Sequence, residues 1–263
     1  MGSATKHALA AVKTEVDGWQ PGSLDAAEQF FDATDVISGS PALRAALADA
    51  GSSAEVRHEL VERVFGSRIG DQAKQLLRSA VAQKWSTEAE FQAGLQELAV
   101  RAVAQASGEH ERLGGELSAF VEAVGRNHDL ELTLASRLTP VRAKVEIVDR
   151  VFGGRLSDAA LAIVRRLVSN PLGRRVRRAI VWAVDLVADQ SGRSVATVTT
   201  ARALGDAQLD RLREGLSRRF GRPVTINQVV DPAIVGGLRV QLGDDVIDDS
   251  AAARIHQLRL QLA

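Results

Sequence analysis

Apolar residues at Leu60, Val61, Val64 and Phe65 stand at i, i+1, i+4 and i+5, the stripe that an amphipathic helix buries. The stripe returns at Ile147, Val148, Val151 and Phe152. The ten residues Leu60 to Ile69 recur as Ile147 to Leu156 at an offset of 87 without a gap. The same offset pairs Leu43 with Leu130, Leu47 with Leu134, Asp71 with Asp158, Arg78 with Arg165 and Val81 with Val168. Upstream it superposes apolar positions rather than identities: Phe30 on Leu117, Ala33 on Phe120, Ile37 on Val124. Downstream the register slips by three, so that Ser107-Gly108 matches Ser191-Gly192 at an offset of 84. A period of this size marks a duplicated structural unit.

Each copy predicts a set of short helices. Gly66 and Gly153 follow the shared stripe and predict helix ends in the left-handed cap conformation. Asp71 and Asp158 are placed to cap the next helix, and Asn170-Pro171 reads as a further start, with Asn as cap and Pro in the first turn. Near Ser191-Gly192 the helical pattern ends and the period changes to two. Ser194 to Thr200 is β-branched and unbroken, a strand. Asp206 to Phe220 is helical, with Leu209, Leu212, Leu216 and Phe220 on one face and Gly221 as stop. Val224, Ile226 and Val230 predict a second strand, and Gly237 to Leu242 a third, with Leu238, Val240 and Leu242 inward. A helix over about Ser250 to Leu262 closes the chain. The expected fold is mainly α: two duplicated helical bundles, 1–107 and 108–190, followed by a small α/β domain of βαββα order at 191–263.

Composition then removes whole classes of function. The chain has 33 Lys plus Arg, 33 Asp plus Glu, and no Cys. Disulfides, zinc–thiolate sites, iron–sulfur clusters and thiol nucleophiles are excluded. Zero net charge argues against a nucleic-acid partner, because phosphate-backbone affinity comes from an excess of Lys and Arg. The balance is uneven along the chain: residues 1–107 are net acidic, the rest net basic. The N-terminus has no apolar signal region, and the longest apolar stretch, Ala179 to Ala188, is interrupted by Asp185 and too short for a bilayer. No membrane insertion is expected.

Candidate chemistry is sparse. There is no Gly-x-x-x-x-Gly-Lys loop and no Gly-x-Gly-x-x-Gly opening a helix, so no nucleotide cofactor is expected. His7, His58, His110, His128 and His256 have no metal-ligand spacing and are expected at the surface. Asp244, Asp245, Asp248 and Asp249 do not follow an EF-hand pattern and read as turn and helix-cap residues. Arg165, Arg166, Arg174, Arg175, Arg177 and Arg178 are the one basic concentration. Lacking interleaved aromatics, they suit a solvated helix face or an acidic partner surface. Trp85 and Trp182 are expected in bundle cores or lining a groove. No catalytic, cofactor-binding or metal-binding residue emerges.

The run from Asp231-Pro232-Ala233 through Gly236-Gly237, the alternating Leu238 to Leu242, Gly243 and Asp248-Asp249-Ser250 resembles the C-terminal signature of the delta subunit of the F-type ATP synthase. That family is the bacterial counterpart of the oligomycin-sensitivity-conferring protein. Both 87-residue copies resemble its N-terminal helical domain, so the resemblance covers nearly the whole chain. Asp231, Pro232, Gly236, Gly237, Gly243 and Asp248 carry it as structural residues. Family members commonly show Asp-Gly-Ser where this chain has Asp248-Asp249-Ser250, and Asp is one of the few residues tolerated in such a turn. Removing one copy leaves the length of a single-bundle member. The duplication and the Arg-rich basic set resemble actinobacterial members.

The resemblance implies a non-catalytic peripheral-stalk subunit on the cytoplasmic face of the bacterial cell membrane. Its helical domain would bind N-terminal helices of alpha subunits and its C-terminal domain the end of stalk subunit b, so that the catalytic head does not turn with the rotor. An alternative is a helical-repeat adaptor scaffold unrelated to ATP synthesis, which leaves the tail signature without explanation.

Overall fold

Chain contacts divide the molecule into two compact units, Met1–Gln190 and Ser191–Ala263. The structure, a computed structural model, describes residues 1–192, 194–221, 223–231, 237–242 and 245–248.

Eleven helices build the first unit: α1 (Ser3–Asp17), α2 (Leu24–Gly39), α3 (Pro41–Ala48), α4 (Ala54–Phe65), α5 (Asp71–Ala82), α6 (Glu88–Ser107), α7 (His110–Arg126), α8 (His128–Ala135), α9 (Val141–Phe152), α10 (Asp158–Ser169) and α11 (Val176–Gln190). The pairs α3/α8, α4/α9 and α5/α10 begin and end 87 residues apart. The start signals of α3 and α8 match as well. Ser40 accepts from the Leu43 amide and Asn127 from the Leu130 amide, two equivalent caps satisfying first-turn donors.

The expected bundle boundary at 107/108 falls at the end of α6, and this helix serves both copies. In the first copy α1 buries Ala8, Val12 and Val16; at the same offset α6 buries Leu95, Ala99 and Val103. In turn, α6 packs on α1 and α2 as α11 packs on α6 and α7. So α6 closes the first copy and opens the second. From Gly94 to Ala104 every residue but Glu97 is buried, which is why its apolar positions run around most of the helix. Polar ties follow the same line of helices. Asp189 of α11 accepts from Lys13 of α1 at 2.9 Å and from Arg101 of α6 at 2.8 Å.

Three local readings are corrected. Gly66 and Gly153 do follow the ends of α4 and α9, but with φ of −49° and −55°, not left-handed. The need is space: a Cβ would stand 2.4 Å from the Glu62 carbonyl oxygen and 2.3 Å from that of Asp149. Asp71 and Asp158 are the first helical residues rather than the caps, which are Gly70 and Ser157; their charge still favours the helix N-terminus. Asn170-Pro171 ends α10 instead of starting α11. Proline cannot continue the helix, and a turn through Leu172 (φ 48°) and Gly173 (φ 78°) follows, closed by the Arg174 amide on the Pro171 carbonyl.

The second unit is a four-stranded sheet with one described helix, α12 (Asp206–Phe220). Strands β1 (Ser194–Thr200), β2 (Val224–Val230), β3 (Leu238–Leu242) and β4 (Asp245–Asp248) lie in the order β2-β1-β3-β4. β1 and β2 are parallel, joined through α12; β1–β3 and β3–β4 are antiparallel. Ala196, Val198, Val224 and Val240 of the sheet and Leu216 of α12 form the core, with Leu212, Phe220, Ile226 and Leu238 packed around it. Gly221 ends α12 at φ 68°, the left-handed stop expected of it. The strand β4 was not expected: Asp245 and Asp248, read as turn and cap residues, are paired to Leu242 and Arg239. The expected terminal helix, 250–262, lies outside the described residues.

Candidate partner-binding site

A trough of about 970 Å³ runs between α1 and α5, with α4 at its side. Its small and apolar positions are Ala11 and Val12 of α1 and Ala82 of α5. Around them stand Glu15, Glu62 and Asp71, and opposite charges on Lys74 and Arg78. The periodicity of α5 explains the placement: Ala73, Leu76, Leu77, Ala80 and Val81 turn into the core, leaving Gln75 and Arg78 outward. Lys74 is shared between Glu62 at 3.4 Å and Asp71 at 3.5 Å, and His58 Nε2 lies 3.0 Å from the Arg78 carbonyl oxygen. A narrow apolar floor with charges of both signs on the rims is the chemistry of a groove for an amphipathic helix. Sequence reading had not singled out Ala11, Gln75 or Arg78 as a surface, since a groove between helices 60 residues apart leaves no local motif.

The basic concentration turns out to be largely internal to the fold. Arg165 pairs with Asp149 at 2.6 Å, Arg166 with Asp32 and Asp35, and Arg177 with Glu131 at 3.5 Å. Arg174 lies over the Trp182 ring at 4.3 Å and donates to Gln96 Oε1 at 3.2 Å; burial lowers its pKa. Arg175 and Arg178 remain outward beside Trp182. Trp182 is thus a half-buried groove residue, whereas Trp85 fills the core, its Nε1 donating to the Ala80 carbonyl at 2.9 Å.

Among the histidines, His7 and His128 are exposed and His58 and His110 half-buried. His110 departs from the surface expectation: its Nε2 is buried without a partner, and burial lowers its pKa. No group of three His, Asp or Glu among the described residues is arranged to hold a metal ion. Nor is any described helix long and apolar enough to cross a membrane.

Of the signature residues, Asp231 follows β2 and its amide donates to the Thr200 carbonyl at 2.9 Å. Gly237 has φ 79° at the entry to β3, a conformation that favours glycine. Asp248 ends β4 opposite Arg239. Pro232, Gly236 and Gly243 lie outside the described residues.

The family model for the ATP synthase delta (OSCP) subunit matches residues 98–262. The chain belongs to this family. The match begins inside α6, the helix that opens the second copy, and runs on into the sheet unit. Similar chains carry the first copy too. An ATP synthase subunit delta of Leifsonia xyli subsp. xyli is 40% identical over the full length of both chains. Those of Acidothermus cellulolyticus and Corynebacterium glutamicum are 36% and 31% identical, again over the whole of each chain. A chain in a cryo-EM structure of the Toxoplasma gondii mitochondrial ATP synthase hexamer is 19% identical with a TM-score of 0.44, covering 64% of this chain and 94% of that one. Members of the family are structural subunits of the ATP synthase and not catalytic ones.

Proposed function

We propose that this chain is the peripheral joint of a proton-translocating ATP synthase, holding the alpha/beta head to stalk subunit b on the cytoplasmic side of the membrane. The observation that carries this reading is the open trough between α1 and α5 in a member of the delta (OSCP) family. A joint that resists torque needs grooves that accept partner helices and a large buried contact; it needs no active site. The trough is the proposed seat of an alpha-subunit N-terminal helix, whose apolar stripe would lie on Ala11 and Ala82. The sheet unit, with Asp231, Gly237 and Asp248 shaping the ends of its strands, is the proposed grip on the C-terminal end of subunit b. An adaptor scaffold outside energy conversion would account for the repeat alone, but the family match accounts for repeat and tail together.

The test is direct. Immobilised full-length chain should retain a peptide from the alpha N-terminus and a C-terminal fragment of subunit b, and should hydrolyse no ATP. Failure to retain either partner overturns the reading.

A further inference from the structure

We infer that α2 of the first copy occupies the groove of the second copy that corresponds to the α1/α5 trough, so that the chain offers a partner helix one such site and not two. The inference rests on the trough being a helix seat, as proposed above.

The 87-residue offset carries the trough onto the space between α6 and α10. There the same positions are closed. Ala11, Thr14 and Gln75 are exposed in the first copy; their counterparts Leu98, Arg101 and Ala162 are buried in the second. Lys74, half-buried, is replaced by the buried Leu161. α2 packs against both α6 and α10, the two walls of this groove, while Arg101 is taken up by Asp189 of α11. α2 is held by charge as well as by apolar contact. Arg166 of α10 reaches Asp32 and Asp35 of α2, a turn apart on one helix face.

The pairing is directional. Arg166 corresponds to Ser79 in the open trough, and Asp32 and Asp35 correspond to Ala119 and Glu122 on α7. At this position only the second groove therefore carries a cation, and only the first copy's helix carries both aspartates. A helix lying between two others with its carboxylates on a groove arginine is the helix-in-groove mode of recognition, realised within one chain. Duplication has turned one of two equivalent seats into an internal interface.

Titration of the full-length chain with a synthetic peptide of the alpha N-terminal segment, followed calorimetrically, tests this. One peptide should bind per chain. Arg78→Glu and Ala11→Arg, both on exposed positions of the trough, should each weaken binding by about tenfold or more. Arg165→Glu, at the position matching Arg78 in the second copy, should leave binding unchanged; circular dichroism verifies that each variant is folded. Two peptides per chain, or loss of binding with Arg165→Glu and not with the trough variants, overturns the occupancy while leaving the stator reading intact. No binding of the peptide to the unaltered chain overturns the helix-seat reading, and the inference with it.

Discussion

Arg166 on α10 donates to the Asp35 carboxylate on α2 at 2.6 Å, joining the second copy to the first across 131 residues of chain. Both side chains are about two-thirds buried, with 29% and 34% of their surface exposed. Burial raises the Asp35 pKa by more than the Arg166 charge lowers it, so the carboxylate depends on this partner to be ionised in place. Arg166→Ala is expected to destabilise the helical unit by ~1–2 kcal/mol, because a half-buried charge loses its counter-ion. In Asp35→Asn the same arginine change should cost less. A double-mutant cycle by urea denaturation measures the coupling, and additivity of the two changes would show that the contact carries no stability.

Asp185 is a second half-buried carboxylate, on α11 between Val184 and Leu186. Burial pushes its pKa up to about 6 from an ordinary 3.8. The folded state therefore holds a proton more tightly than the unfolded chain. Stability tied to this group rises as pH falls from about 6 toward 3.8, and above 6 the fold bears the full cost of the buried charge. Asp185→Asn should stabilise the chain by ~1–3 kcal/mol at pH 8, with the gain shrinking through that window. Melting curves across pH decide it; a gain that does not change with pH would refute the electrostatic cause.

Much of this architecture was legible because it repeats. Identities around Val61-Phe65 and Val148-Phe152 gave α4 and α9, and the same register carried α3/α8 and α5/α10. The shared helix was not legible. Ala8, Val12 and Val16 match Leu95, Ala99 and Val103 in burial but in identity only at Val16 and Val103, and in α6 they stand in a helix buried around most of its surface. The strand β4 was hidden for a different reason: only Val246 and Ile247 separate its acidic ends, too few residues for an alternation to show. Arg166 and Asp35 could be seen as charges but not as a pair, since their partners lie in different copies. The trough likewise has no linear signal, being made of what two amphipathic helices leave outside.

Gly94 of α6 lies against the Trp85 ring: a Cβ there would stand 2.1 Å from the nearest ring carbon and 2.4 Å from the next. The ring has little room to move, held by its bond to Ala80 and set edge-on to Phe91 at 5.7 Å. Gly94→Ala gains up to ~1 kcal/mol of helix propensity. Displacing a packed indole costs more, ~1–3 kcal/mol or above. A net loss of ~2 kcal/mol is expected by chemical denaturation, together with changed tryptophan fluorescence. A neutral or stabilising result would mean that the ring yields freely.

Gly237 enters β3 at φ 79°, where a β-branched side chain is strained. The two residues that follow, Leu238 and Arg239, pair with Thr200 and Thr199 of β1, so strain at this point is carried straight into the ladder on which the sheet core depends. Gly237→Val is expected to weaken the β1–β3 pairing and, with it, retention of the subunit b fragment. The compact helical unit has its own core and should be untouched. Amide hydrogen exchange separates the two: protection should fall at Val198 and Val240, which face each other across the ladder, and hold at Leu98 and Val103 inside α6. Unchanged protection across β1 and β3 would show that the turn tolerates the side chain, and would remove Gly237 from the residues that shape this unit.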